Sequence, residues 1–255
     1  MMPLLHFEGN VLVSSPNKNS TMANEQKKKG ENLLYNLGFN IIIPVIILTK
    51  YSDEKHLGPL YGLIIALLFP LLYGLYDLIS KKKKNFISIL GFVSILITGI
   101  IGIFHFPPEW IAVKEALVPF LIGAAVLVTL WTPFPLVKKL LYTKEILNVE
   151  KIEVNLTASG NMPKLEKLLT RASVFLAFSF FLSSALNYIL AKVLIKSAPG
   201  SAAFNEEIGR MTMLSYPVIA LPSMIIMVLI LWFLIRSVKK LTGIEGDEIF
   251  SEKLK

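Results

Sequence analysis

Six long apolar stretches, at 33–49, 58–79, 86–106, 111–131, 172–195 and 211–235, alternate along the chain with polar segments. They are 17 to 25 residues long, and a helix needs ~20 residues to cross ~30 Å of hydrocarbon. None carries the wide charged face of a helix on a soluble protein, so the pattern predicts helices whose surroundings are themselves apolar. Three turns, 50–57, 107–110 and 196–210, fall on one side of these spans. The prediction is an all-α polytopic membrane protein, with six transmembrane helices in three hairpins.

Aromatic residues mark the span boundaries. Trp110 and Trp131 bracket the fourth span, and 21 residues of helix between them cover ~32 Å, which sets each indole at headgroup level. The chain divides into a disordered tail over 1–31, a membrane domain over 32–238 and a second tail over 239–255. Met22 competes with Met1 and Met2 as the start. The loop 132–171 is the sizeable polar segment between spans. Leu136, Val137, Leu140 and Leu141 share a helical face there, which predicts a short helix lying in the headgroups. About 40 residues of this kind do not bury a core of their own.

Composition agrees with the pattern. Of 255 residues, 54% are hydrophobic, above the level of a soluble domain. Charge then orients the spans. Twenty of the 26 Lys and Arg residues fall on one side, including Lys81 to Lys84, the seven from Lys138 to Arg171, and Lys239 and Lys240. Six fall on the other: Lys50, Lys55, Lys114, Lys192, Lys196 and Arg210. By the preference of basic residues for the cytoplasm, both termini and the 132–171 loop are cytoplasmic. The net charge of +8 therefore meets anionic headgroups and is not a nucleic-acid footprint. The expected partners are the lipid bilayer, with a second copy of the chain or another membrane protein.

Inside a bilayer, helices associate through small residues and polar contacts. Gly62, Ala66, Pro70 and Gly74 form one such stripe, Ser94, Thr98 and Gly102 a second, and Ser179, Ser183 and Asn187 a third. Pro44, Pro70, Pro217 and Pro222 predict kinks.

The candidate functional residues are the polar ones left within the spans: Asn36, Asn40, Lys114, Glu115 and Asn187, with Arg210 at the outer end of the sixth span. For the asparagines, interhelical hydrogen bonding and a hydrated pathway both remain open. Lys114 begins about one turn below Trp110 and is expected to snorkel outward. Glu115 lies ~100° around the helix from Lys114, so the two are not expected simply to pair with each other. Asp77 with Lys81 and Glu206 with Arg210 have the spacing of helical ion pairs.

The rest excludes several classes. His6, His56 and His105 are dispersed and make no metal or nucleophile–base set. Cysteine is absent, so thiolate ligands and disulfides are too. No phosphate-binding glycine motif appears. The expectation is a non-enzymatic protein without cofactor or metal.

The segments Asn36–Pro44, Leu68–Asp77, Lys114–Pro119, Pro135–Leu141 and Leu214–Pro222 carry a resemblance. The chain resembles a bacterial six-helix inner-membrane protein family that is distantly similar to intracellular septation protein A. A lysine–proline pair associated with the septation family's fourth helix stands here as Lys114 with Pro119 displaced. The resemblance implies the bacterial inner membrane and an envelope-maintenance or septation-associated role. The intramembrane polar residues and the prolines of the sixth span point to the alternative, a small secondary transporter.

Overall fold

The computed structural model describes residues 37–80, 86–132, 136–244 and 246–251. Every regular element among them is helical. A π-helical turn, Gly38–Ile42, leads into α1 (Ile43–Lys50). Then follow α2 (Gly58–Ser80), α3 (Phe86–Ile103), α4 (Glu109–Val128) and the short α5 (Leu136–Leu140). After α6 (Val149–Ala158) and α7 (Met162–Leu194), α8 (Ala202–Ser215) runs through a π turn, Tyr216–Ala220, into α9 (Leu221–Thr242).

Four helical stretches are long and apolar enough to cross a membrane: Gly58–Tyr76, Glu109–Trp131, Met162–Leu194 and Ala202–Thr242. Gly38–Lys50 and Ile89–Ile103 are apolar but shorter. At most 28% of any of the four apolar windows is buried inside the protein, so most of this apolar surface faces outward. Leu72, Phe120, Phe178, Val193, Met224 and Trp232 are all exposed. Water would penalise such a surface, and these helices fit a membrane-embedded protein.

The contacts form a closed circuit, with α1 against α2, α2 against α3, α3 against α4, α4 along α7, and α8 against α7 and α1. The predicted small residues lie at several of these seams. Ala66 and Thr98 are buried, and a Cβ on Gly102 would collide with Leu63 of α2. Gly74 faces Phe92 of α3, Gly62 packs on the Ser52 turn, and Ser179 is buried in α7. A Cβ on Gly209 of α8 would stand 2.7 Å from the Thr49 methyl of α1.

Two proline sites take a specific form. Pro44 and Pro222 each occupy the second residue of a helix that follows a π turn. The residue before each donates five back, Ile43 to Gly38 and Leu221 to Tyr216. A proline ring clashes with the carbonyl four residues earlier and supplies no N–H, and one widened turn accommodates both demands. Pro217 lies inside the second π turn, and Pro70 and Pro119 lie inside α2 and α4.

Three expectations are corrected by the fold. The segment 196–210 is not simply a turn, since α8 begins at Ala202, where the Ser201 hydroxyl accepts from the Phe204 N–H at 3.1 Å. With α9 it forms one rod of 41 residues, about 62 Å long at 1.5 Å per residue. Phe204 and Asn205 are fully buried at this hairpin end of the bundle.

The other two corrections concern the opposite end. The 132–171 loop does share a core, which it borrows from the end of α9 and the segment after it. Val137, Leu141, Leu147, Ile152, Leu156 and Leu165 pack with Val238, Ile244 and Ile249. Val137 and Leu141 therefore turn into protein, not onto headgroups. Nor are the described residues of the 239–255 segment, 239–244 and 246–251, merely a tail. Gly243, at φ 68, ends α9 in the left-handed conformation that glycine adopts without strain. The chain then returns along the loop, with Asn148 N–H bonded to Ile249 O at 2.8 Å and Ser251 N–H to Ile146 O at 3.1 Å. Lys151 pairs with Glu248 at 2.5 Å, and Asn161 Nδ2 donates to Leu241 O at 3.2 Å. This helical cap is small, but it has a buried apolar interior.

Tyr142 is the weak point of that interior. Its hydroxyl is buried without a hydrogen-bond partner among the described residues. Burial, then the Glu153 charge, pushes its ionisation well above the ordinary tyrosine range. Tyr142→Phe should stabilise the cap by about 1 kcal/mol, because an unpaired hydroxyl costs ~1–3 kcal/mol to bury. The sign with pH follows from a raised folded-state pKa. The neutral phenol's contribution is complete below about pH 10 and is lost as pH rises beyond it, in the wild type only. Amide exchange of cap residues in both proteins measures this, and equal protection on either side of pH 10 would refute it.

Candidate functional site

Three helices frame a cleft of about 460 Å³ in the half of the bundle nearer the hairpins. Glu115 enters from α4, Ser183 and Asn187 from α7, and Thr212 and Ser215 from α8. Tyr216, Ile219 and Ala220 of the π turn, together with Ser223 of α9, complete the wall. Asn187 lies seven residues before the end of α7, or ~10 Å along the helix. The widened turn is what gives the cleft its back, because it interrupts the α9 rod where the polar side chains converge.

The charged pair at its edge departs from the sequence expectation. Lys114 does not snorkel outward; it is 8% exposed and reaches inward. Its Nζ lies 2.5 Å from Glu115 Oε1 and donates to Ser94 Oγ of α3 at 3.3 Å. So the neighbours in sequence do pair, despite the ~100° between their Cβ directions. The four-carbon stem of lysine is long enough to bend back toward the glutamate, and burial of one charge requires the other. Ser94, expected in a packing stripe, serves here as the ammonium's second acceptor.

Hydrogen bonds fix the remaining polar groups. Asn187 Nδ2 donates to Ser183 O at 2.8 Å. Thr212 Oγ1 donates to Ile208 O at 2.9 Å and Ser215 Oγ to Met211 O at 2.8 Å. Ser184, beside the cleft, donates to Ala116 O at 2.7 Å and ties α7 to α4.

Other candidates stand apart. Asn40 is half-buried in the first π turn, away from the cleft wall. Asn36 lies outside the described residues, as do Lys81 to Lys84 and the side chain of Asp77. Arg210 pairs with Glu206 at 2.5 Å on the exposed side of α8 and does not join the cleft. His56 pairs with Asp53 in the first turn, and no group of three or more metal-ligating His, Cys, Asp or Glu residues occurs among the described residues.

Sequence reasoning missed Thr212, Ser215, Tyr216 and Ser223, and also Asn205, whose Nδ2 donates to Pro59 O at 2.7 Å. A signal existed for the first four: hydroxyl-bearing residues recur on one helical face on both sides of Pro217. For Asn205 the clue was Phe204, Ile208 and Met211, an apolar face at helical spacing just after Ser201, a good cap.

Comparison of the chain with protein-family models, with curated proteins and with solved structures gave no match. The class defined so far is an all-helical protein with four membrane-length apolar helices and a cleft of mixed polar and apolar lining among them.

Proposed function

We propose that the protein is a small secondary transporter of the bacterial inner membrane, with six spans, both termini cytoplasmic, and the cleft as its solute site. One observation carries the reading: a carboxylate, an amide and several hydroxyls converge where the last helix is interrupted. The interruption is a π turn within a continuous helix, and such turns occur frequently at functional sites. The Lys114–Glu115 pair supports it further, because an ion pair inside hydrocarbon is expensive to keep and recurs at solute and proton pathways. The topology assigns the cap to the cytoplasm together with its basic residues.

The second reading is an envelope-maintenance or septation-associated protein acting through partner helices, and it rests on the family resemblance. The small-residue faces that such partners would need are already occupied within the bundle, at Ala66, Thr98 and Gly102. That weighs toward transport.

Two measurements test the proposal. Proteoliposomes should show solute-driven proton or sodium flux that is lost in Glu115→Gln and in the neutral pair variant Lys114→Met/Glu115→Gln. Wild-type flux equal to that of both variants would end the transport reading. A reporter fused after Lys84 should read cytoplasmic; a periplasmic signal would invert the whole topology.

A further inference from the structure

The cleft's hydrogen-bonding inventory is lopsided. Thr212 and Ser215 each give their hydroxyl proton to a carbonyl of their own helix, so toward the cleft they offer oxygen lone pairs. Asn187 turns its amide nitrogen to Ser183, donating to O at 2.8 Å and to Oγ at 3.5 Å, which leaves Oδ1 as its acceptor toward the cleft. Glu115 has one oxygen held by Lys114, and Oε2 has no partner among the described residues. The hydroxyls of Ser183, Tyr216 and Ser223 can take either role. The groups whose roles are fixed, Glu115 Oε2, Asn187 Oδ1 and the Thr212 and Ser215 oxygens, are acceptors, and the one charge lining the cleft is negative.

An acceptor-rich wall selects a ligand rich in donors. An anion would be opposed by Glu115, whereas a cation with several N–H donors would be matched by that carboxylate and by the committed hydroxyl oxygens. Size narrows the choice further. About 460 Å³ is far more than a bare alkali ion fills and lies in the range of sites for small organic ligands. Met211, Ile219 and Ala220 add an apolar strip on which a short hydrocarbon body can lie. The chain also contains a working example of the pairing: the group on Glu115 Oε1 is the aminobutyl arm of Lys114.

Resting on the transport reading, we infer that the solute is a small primary alkylammonium, bound with its ammonium on Glu115 and on the oxygens of Asn187, Thr212 and Ser215, in a place next to that of the Lys114 ammonium. The three N–H donors of such a group suit a cleft lined by three or more acceptors. The bound amine and Lys114 share one carboxylate, so each weakens the other's hold on it. Lys114 is in this sense an internal competitor that sets affinity. Lys114→Met is accordingly expected to tighten amine binding, a result that a merely structural lysine would not give.

The test uses the full chain in detergent micelles, with isothermal titration of n-butylammonium, n-butyrate and n-butanol. Butylammonium should bind, and the anion and the alcohol should not. Asn187→Leu and Thr212→Val should each weaken butylammonium about tenfold, the scale of one hydrogen bond to a charged group. Glu115→Gln should weaken it more, and the first two variants carry the test if this one does not fold. Butyrate or butanol binding as tightly as butylammonium would overturn the cation assignment. So would butylammonium binding unchanged in Asn187→Leu and Thr212→Val. If butyrate or butanol binds and depends on Asn187 and Thr212, the cleft remains a solute site and only the amine assignment falls. If none of the three binds and the proteoliposomes carry no flux, the transport reading falls with it.

Discussion

Glu115→Leu should cost about 3 kcal/mol or more of folding stability, Lys114→Met should cost less, and the two together should cost less than Glu115→Leu alone. The order follows from where each charge sits. Without Glu115 the Lys114 ammonium keeps only the Ser94 hydroxyl at 3.3 Å in a site that is 8% exposed. Removing one partner of a buried pair strands the other, at ~3–5 kcal/mol. Without Lys114, Glu115 is 25% exposed on its side chain and opens onto the cleft, where its charge is not sealed in protein. The double variant strands nothing. Reversible unfolding in mixed micelles gives the three values, and a coupling term below about 0.5 kcal/mol would show that the residues do not act as a pair.

Phe204→Ala is expected to cost about 3–5 kcal/mol, the usual price of emptying a large aromatic site in a packed core. Phe204 is completely buried, beside Gly102 of α3, in the cluster that also holds Leu48, Leu63, Ile111 and Ile208. It sits where α8 closes the circuit of helices, so the cavity would open between α8 and the α2–α3 hairpin. Gly209 keeps α8 close against α1, which limits how far the gap can collapse. The same unfolding assay applies. A loss below 1 kcal/mol would mean that α8 lies loosely on the bundle and does not plug it.

The apolar windows were legible in the sequence because burial in lipid requires almost nothing else of a helix. Four of them stand as membrane-length helices, at 58–76, 109–131, 162–194 and 202–242. The true extents of the last two were hidden. Leu165, Leu168 and Leu169 continue α7 into the cap, and Phe204 to Met211 continue α9 backward through a mixed, amphipathic stretch that a search for uniform apolarity passes over. The cap itself was illegible for a different reason. Its core joins residues far apart in sequence, such as Leu147 and Ile249, and neither segment has enough apolar surface to announce a core alone.

The candidate site divides the same way. Glu115 and Asn187 stand out because a charge or amide in a span is rare, and both reach the cleft. Asn40 and Arg210 are equally conspicuous but lie elsewhere, since rarity does not encode direction. The pairing of Lys114 with Glu115 was missed because angular separation of Cβ atoms says little about a side chain with four rotatable bonds.

The clasp between Ile146–Asn148 and Ile249–Ser251 also has a temporal side. Lys151 and its partner Glu248 are 97 residues apart, and ribosomes add ~5–20 residues per second, so roughly 5–20 s separate their synthesis. During that interval the apolar faces of Leu147, Ile152 and Leu156 have no lid. A nascent chain therefore carries an apolar half-built cap until its last described residues have been made, so the cap is among the final parts of the fold to close.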